Sequence, residues 1–193
     1  MIRTSNMKGF TLIETMIAVA ILTLSIAAPL YTANRAIVAA QTARDQLTAS
    51  YLAQEGIEYV REMRDNEFLA AHAAGGANVS GTAWSNFLTG SDSASITQCR
   101  TSTCTLDPSR FMGTGGGFAL ETCSGASCKP LYLANGIYTL QSGIVGAKQT
   151  PFTRTIRAVD VSANDERIIS TVSWTYHNAA YTITVYDHLT SWQ

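Results

Sequence analysis

The chain has 193 residues, of which 46% are hydrophobic and 14% charged, and its formal net charge at pH 7 is −1. This balance argues against a broad basic footprint for nucleic acid, so no nucleic-acid partner is predicted. About 150 residues remain once the apolar N-terminal part is set aside, which is enough for one modest domain with its own core.

The N-terminus combines a short basic leader, residues 1–9, with a long apolar run. Arg3 and Lys8 lie in the leader, and Glu14 is the single charged residue between positions 10 and 34. An ionised carboxylate inside a bilayer costs roughly 2.5–3.5 kcal/mol on insertion scales, so an intramembrane glutamate is by default a functional residue with a partner. An amine created by removal of the leader would be such a partner.

Residues 8–14, KGFTLIE, resemble the prepilin processing site of type IV pilins and pseudopilins. The resemblance implies that a prepilin peptidase recognises Lys8 and Gly9, cuts before Phe10, and leaves Phe10 to be N-methylated. It also implies that Glu14 pairs with the N-terminal amine of a neighbouring subunit while a pilus assembly platform builds the filament. The implied partners are therefore other pilin subunits, the peptidase, the platform and the inner membrane.

Other readings of the N-terminus fit less well. A secretory signal peptide has an apolar region of about 7–15 residues, which is shorter than the charge-free run over positions 15–34. A lipoprotein signal needs a cysteine just after the run, and the first is Cys99. A plain signal anchor satisfies the positive-inside rule but does not account for Glu14. A single-pass inner-membrane protein with its C-terminus outside, which later enters an extracellular filament, is expected.

The next prediction is one long helix, with residues 10–34 as the transmembrane or filament-core part and residues 35–69 as an amphipathic part. Pro29 removes one backbone hydrogen bond, so the sequence predicts either a kink or local unwinding over residues 25–29. In the amphipathic part, apolar residues recur every three or four positions and predict a face that packs on a sheet. That face consists of Ala49, Leu52, Ala53, Gly56, Val60 and Met63.

Residues 70–135 are rich in Gly, Ala, Ser and Thr and are predicted to be a variable loop region, which the family resemblance places on the exposed surface. Glycine-containing runs at 75–76, 90–93 and 113–117 indicate turns. The region holds two similarly spaced pairs of cysteines, which are Cys99 with Cys104 and Cys123 with Cys128.

Export and the even number of cysteines favour disulfides over zinc, because zinc sites usually use spacers of about two to four residues and often add histidines. Local pairing within each pair is favoured over the two crossed connectivities, which stay open. The histidines are scattered, so neither a metal nor a cofactor is predicted.

Residues 136–193 show strand patterns, at 136–142, 152–161, 167–176 and 181–189. Four sequential strands with short links predict an antiparallel meander on the amphipathic half of the helix. In the third, the residues expected to face the helix are Ile168, Val172, Trp174 and Tyr176. The fold class expected is therefore α+β, a long N-terminal helix packed on a C-terminal antiparallel sheet, as in pilins.

No catalytic constellation is evident, and the protein is not expected to be an enzyme. An acidic concentration at Asp160, Asp165 and Glu166 is interpreted as a solvated turn, with a calcium site as the alternative. The predicted function is a minor pilin-like structural subunit of a type IV pilus, with adhesion as one role. The alternatives are a type II secretion pseudopilin, a monomeric membrane-anchored binding domain and, with least support, an envelope-anchored enzyme.

Overall fold

The computed structural model describes residues 9–90, 95–109 and 120–191. It divides into two compact units, Met1–Asp45 and Gln46–Gln193. The predicted leader lies outside the described residues apart from Gly9, and so do the predicted turn at 113–117 and most of the turn at 90–93.

The long helix predicted from the sequence is present as α1, Leu12–Ala74. It is helical through Pro29, so the predicted local unwinding is not seen, while the kink stays a prediction. One missing hydrogen bond is tolerated here because the flanking turns are rich in strong helix formers such as Ala and Leu. The helix ends beyond the predicted residue 69, at two glycines, Gly75 and Gly76, with φ of 71° and 144°.

After α1 the described residues form two further helices and two antiparallel sheets. The helices are α2, Val79–Thr89, and α3, Thr97–Thr101. The strands are β1 Thr103–Leu106, β2 Leu120–Cys123, β3 Tyr132–Ala134, β4 Ile137–Thr139, β5 Lys148–Gln149, β6 Thr153–Ser162, β7 Asp165–Tyr176 and β8 Ala179–Thr190. One sheet has the order β2-β1-β6-β7-β8 and the other β4-β3-β5. The α+β class is thereby confirmed.

The predicted four-stranded meander is wrong in its first strand. Only Ile137–Thr139 of residues 136–142 is extended, and it belongs to the smaller sheet. The reason is local, because Asn135 and Gly136 both have positive φ and form a two-residue turn that folds β4 back onto β3. The large sheet is completed by β1 and β2, which come from the stretch predicted to be loop.

The loop prediction for residues 70–135 is therefore wrong over α2, α3 and three short strands. These elements are short and carry no sustained periodicity, so long-range contacts decide their structure. In α2, for example, the indole Nε1 of Trp84 donates a hydrogen bond to the carbonyl of Ala163 at 2.8 Å, and Phe87 is fully buried.

The face predicted on α1 is confirmed, since all six of its residues are buried. At Gly56 the helix approaches the sheet most closely. A Cβ there would lie 2.5 Å from Ser170 Oγ and 2.9 Å from Ile156 Cδ1. In β7 the predicted inward residues Ile168, Val172 and Trp174 are buried, and Tyr176 is half-buried. Glycine is required at position 56 because any side chain would push helix and sheet apart.

A charged side chain, Arg154 on β6, is fully buried between α1 and the sheet. Its guanidinium donates to Glu55 Oε2 at 2.6 Å and to the carbonyls of Leu52 and Leu106 at 3.1 and 3.3 Å. Burial lowers the pKa of Arg154, and the carboxylate of Glu55 opposes this shift. The arginine thus links the helix to two strands.

The acidic concentration at the β6–β7 turn is not a solvated turn. Glu166 is fully buried and accepts a hydrogen bond from Arg100 Nε at 3.0 Å. Asp160 lies 3.7 Å from the same guanidinium, and Asp165 pairs with His188 Nδ1 at 2.9 Å. Glu166 and Asp160 thus face the guanidinium of Arg100, whereas Asp165 faces the imidazole of His188, and the buried Glu166 has the charged partner that its burial calls for.

Candidate functional site

The first described residues place the predicted cleavage point just ahead of a capped helix. Gly9 and Phe10 lie outside regular structure, and α1 begins at Leu12. The carbonyl of Thr11 accepts hydrogen bonds from the backbone N–H groups of Glu14 and Thr15 at 3.1 and 3.2 Å. The peptide bond between Gly9 and Phe10 can therefore be cut without unwinding the helix.

Thr11 is a site residue that the sequence reasoning missed. Its Oγ1 accepts a hydrogen bond from the backbone N–H of Glu14 at 3.3 Å, which is the contact of an N-terminal cap. The signal was present in the sequence, because Thr-x-x-Glu before an apolar run is a capping-box pattern. Thr11 fixes where the helix starts and so fixes the position of Glu14 in its first turn.

Glu14 is exposed in the first turn of α1. The positive end of the helix dipole favours a carboxylate at this position. Within the described residues, its side chain has neither a hydrogen bond nor an ion pair. The carboxylate is thus available to a cation from another chain.

The surface around Glu14 is apolar and exposed. Phe10 is 80% exposed, and an 18-residue window of α1 has a mean hydropathy of 2.0 with no part of it buried. By length and composition α1 is apolar enough to cross a membrane. Such a surface needs lipid or other apolar helices around it.

Hydroxyl groups on this apolar segment are satisfied inside the helix. Each donates a hydrogen bond to the carbonyl three residues earlier, at 2.8–2.9 Å, and they belong to Thr15, Thr23, Ser25 and Thr32. In a bilayer this removes the cost of leaving a polar group without a partner.

Tyr31 and Arg35 mark the end of the apolar run. The guanidinium of Arg35 donates to Tyr31 Oη at 2.8 and 3.1 Å and lies 5.3 Å from the centre of the tyrosine ring. A tyrosine joined to a cation is the kind of pair found where a helix leaves the hydrocarbon of a membrane.

The predicted site residues do not all come together. Gly9, Phe10 and Glu14 lie within a few residues of one another at the start of α1, whereas Lys8 lies outside the described residues. Pro29 lies farther along the same helix. The four cysteines belong to the other compact unit, Gln46–Gln193.

The cysteines form two local disulfides, the connectivity favoured from the sequence. Cys99 is bonded to Cys104 and ties α3 to β1, with both residues fully buried. Cys123 is bonded to Cys128 and closes the turn after β2, where both are only half-buried. In the described parts of the chain, no three His, Cys, Asp or Glu side chains are grouped as a metal site would require.

The comparisons with known proteins agree with the N-terminal geometry. Residues 4–28 match the family model of the prokaryotic N-terminal methylation motif, and this stretch contains the predicted processing residues and Glu14. No curated protein and no solved structure matches the chain. The motif implies processing by a prepilin peptidase, and together with the exposed apolar helix it fits membrane anchoring before assembly. The methylation motif, on a long apolar helix followed by antiparallel β-sheets, supports a type IV pilin-family protein.

Proposed function

We propose that the chain is a minor pilin-like structural subunit of a type IV pilus, polymerised through the N-terminal part of α1. The observation that carries this proposal is the exposed Glu14 carboxylate, which starts an exposed apolar helix and lies inside the methylation motif. Before assembly the chain spans the inner membrane once with its C-terminus outside. After assembly it is part of an extracellular filament.

The energetic argument starts from the environment of Glu14. An unpaired charge among apolar helices is unfavourable by several kcal/mol, roughly 2.5–3.5 on insertion scales. The leader keeps the backbone nitrogen of Phe10 in a neutral amide, and cleavage after Gly9 converts it into a charged amine. A neighbouring subunit can then present this amine to Glu14, so processing and assembly depend on each other.

The unit Gln46–Gln193 is proposed to be displayed on the filament without performing chemistry of its own. Two disulfides suit an oxidising location outside the cytoplasm. The length of the chain and the long stretch between α1 and β6 support a minor rather than an abundant subunit, because by family resemblance abundant pilins are shorter. Such a subunit primes assembly, lies at the tip or presents an adhesive surface.

The test is to purify surface filaments and measure the N-terminal peptide and the amount of this chain by mass spectrometry. We expect a methylated Phe10 at the N-terminus and an amount far below that of the main subunit. The variant Glu14→Ala should insert into the membrane normally and be lost from filaments by about tenfold or more. Glu58→Ala, which removes an exposed glutamate farther along α1, is the matched control.

An unprocessed Met1, or normal amounts of the Glu14→Ala chain in filaments, would contradict the proposal. The methylation motif also fits a type II secretion pseudopilin, since the match is confined to residues 4–28. That alternative predicts that deleting the gene blocks protein export while surface filaments keep their composition. A monomeric anchored binding domain would keep its function in the Glu14→Ala variant.

A further inference from the structure

The two disulfides lie in different surroundings, although each closes a loop of the same length. Cys99–Cys104 and Cys123–Cys128 both join residues five positions apart in sequence. Cys99 and Cys104 are 0% exposed and belong to a core cluster of the second unit. Cys123 and Cys128 are half-buried, and the residues between them, 124–127, are all exposed. Because the loop lengths are equal, the two bonds differ in access from outside and not in the chain entropy that they remove.

Access decides which of the two bonds can react with a thiol. Exchange begins when a thiolate approaches one of the two sulfur atoms, so a disulfide inside a core exchanges only after the structure around it opens. Cys99–Cys104 ties α3 to β1 within the core, and a thiol reaches it only when these elements separate. Cys123–Cys128 lies at the end of β2, where both cysteines are partly exposed, and no such opening is needed.

Hydrogen bonds also hold the turn between Cys123 and Cys128 closed. The backbone N–H groups of Ser127 and Cys128 donate to the carbonyls of Ser124 and Gly125 at 2.9 and 3.2 Å. The hydroxyl of Ser127 donates to the carbonyl of Ser124 and accepts from the backbone N–H of Ser124, both at 2.8 Å. None of these contacts uses a sulfur atom. The turn therefore keeps the two cysteines near each other when their bond is broken.

Contacts on either side of the turn are independent of the disulfide as well. Lys129 Nζ lies 2.9 Å from Glu121 Oε2, so an ion pair joins the residue after Cys128 to β2. β2 itself is paired with β1 over all four of its residues. Breaking the sulfur–sulfur bond leaves both the strand pairing and the ion pair in place, so the change stays within the turn.

We propose that Cys123–Cys128 is a site of reversible thiol–disulfide exchange with an external dithiol, while Cys99–Cys104 is a permanent structural link. One thiolate of the dithiol attacks the sulfur of Cys123 or Cys128 and forms a mixed disulfide, and the protein's sulfur–sulfur bond breaks to release the other cysteine as a thiolate. The second thiolate of the dithiol then attacks its own partner sulfur in the mixed disulfide and releases the remaining cysteine. The dithiol loses two electrons and becomes a disulfide, and its two protons pass to Cys123 and Cys128. This step needs no filament, so the proposal is independent of the proposed function.

Timed reduction of the full chain in detergent solution tests the proposal. The chain is treated with dithiothreitol, a small dithiol, or with reduced thioredoxin, a protein dithiol. Free thiols are then blocked with N-ethylmaleimide and located by peptide mass spectrometry. We expect Cys123 and Cys128 to be labelled at least about tenfold faster than Cys99 and Cys104, because only the buried pair waits for the core to open.

The two reagents separate the possible sources of the dithiol. Fast labelling with dithiothreitol alone assigns the site to small dithiols, and fast labelling with both reagents extends it to protein dithiols. Equal rates for the two disulfides, or faster labelling of Cys99 and Cys104, would overturn the proposal with either reagent.

Reversibility has a test of its own. After selective reduction the dithiol is removed and glutathione disulfide is added as the oxidant. We expect the Cys123–Cys128 bond to form again, with the circular dichroism spectrum unchanged throughout. In Ser127→Ala, which lacks the hydroxyl contacts to Ser124, the bond should form about fivefold more slowly, the equivalent of one net hydrogen bond. Ser142→Ala, which removes an exposed serine outside the turn, is the control. Loss of structure on reduction, or equal rates in the two variants, would contradict a turn that holds its thiols together.

Discussion

The two compact units use the same kinds of residue in opposite ways. In the described part of Met1–Asp45 the large apolar side chains are exposed, as with Phe10, whereas many of those in Gln46–Gln193 are buried, as with Phe87, which is 0% exposed. The first unit forms a regular helix because its backbone hydrogen bonds are local. Its exposed apolar surface nevertheless needs an apolar environment. The second is stabilised by contacts between residues far apart in sequence. The difference is that the first unit leaves its apolar surface to its surroundings, whereas the second covers much of its own in a core.

Polar groups follow the same division. In the first unit the hydroxyl of Ser25 is satisfied by a carbonyl three residues away. In the second, the guanidinium of Arg154 reaches a carbonyl and a carboxylate about one hundred residues away in sequence. Substitutions in the second unit should therefore alter its unfolding free energy, while substitutions in the first should alter processing and assembly.

The largest effect on stability is expected from Arg154→Ala. It removes the hydrogen bonds that the guanidinium donates to the carbonyls of Leu52 and Leu106 and the partner of Glu55, at a cost of about 3–5 kcal/mol. Denaturant unfolding monitored by tryptophan fluorescence measures this. Arg157→Ala, which removes an exposed arginine from the same strand, is the control. A similar stability for both variants would show that the buried arginine is not a structural link.

Gly56→Ala should destabilise the second unit by roughly 1–3 kcal/mol, because the new methyl group collides with Ser170 Oγ and Ile156 Cδ1. Adding Ser170→Ala removes the nearest of these contacts, and part of the loss should be restored. The double-mutant cycle over unfolding free energies measures the coupling. Additive effects of the two substitutions would mean that helix and sheet are not in close contact at Gly56.

In the first unit, Thr11→Ala should loosen the start of α1 by about 1 kcal/mol through loss of the cap. The expected result is faster amide exchange at Glu14 in detergent, with an unchanged unfolding free energy of the second unit. Thr23→Ala, which removes a hydroxyl that bonds within the helix but caps nothing, is the control. An unchanged exchange rate at Glu14 would show that Thr11 does not set the helix start.

The smallest effect is expected from pH. Burial raises the pKa of Glu166 above its ordinary 4.5, although Arg100 opposes the shift. The folded state therefore keeps a proton that the unfolded state has already lost, so this group's contribution to stability falls as pH rises from 4.5 through the raised pKa. Glu166→Gln should remove that part of the pH dependence, measured as unfolding free energy against pH. Glu58→Gln should leave that pH dependence in place. If the slope of unfolding free energy against pH survives in Glu166→Gln, another group is responsible for it.

Much of the fold could be predicted where the sequence is periodic. The spacing of Ala49, Gly56 and Val60 predicted the helix face, and the alternation of Ile168 and Trp174 predicted the inward side of β7. The cysteine pairing could be favoured because export and short spacing limit the choices. In each of these cases the residues that form the pattern lie within a few positions of one another in the sequence.

The remaining features depend on contacts that no local pattern encodes. β1 and β2 are four residues long, and only pairing with distant strands makes them part of the sheet. The burial of Arg154 is equally invisible, because an arginine in a strand is usually exposed. At the candidate site, the processing residues and Glu14 were found from a motif, whereas the cap at Thr11, although its Thr-x-x-Glu spacing signals it, was recognised from the hydrogen bond in the structure.

The hydroxyls that bond within the apolar helix also affect how neighbouring helices can meet. The hydroxyls of Thr15, Thr23 and Ser25 already donate to carbonyls of their own helix and need no hydrogen bond to a neighbouring one. Helices that pack against this surface can therefore slide or rotate without breaking hydrogen bonds. In a filament built as proposed, the register between subunits would then be set at one end, by Glu14. Such a rod could bend and stretch along its length and still keep every subunit in place.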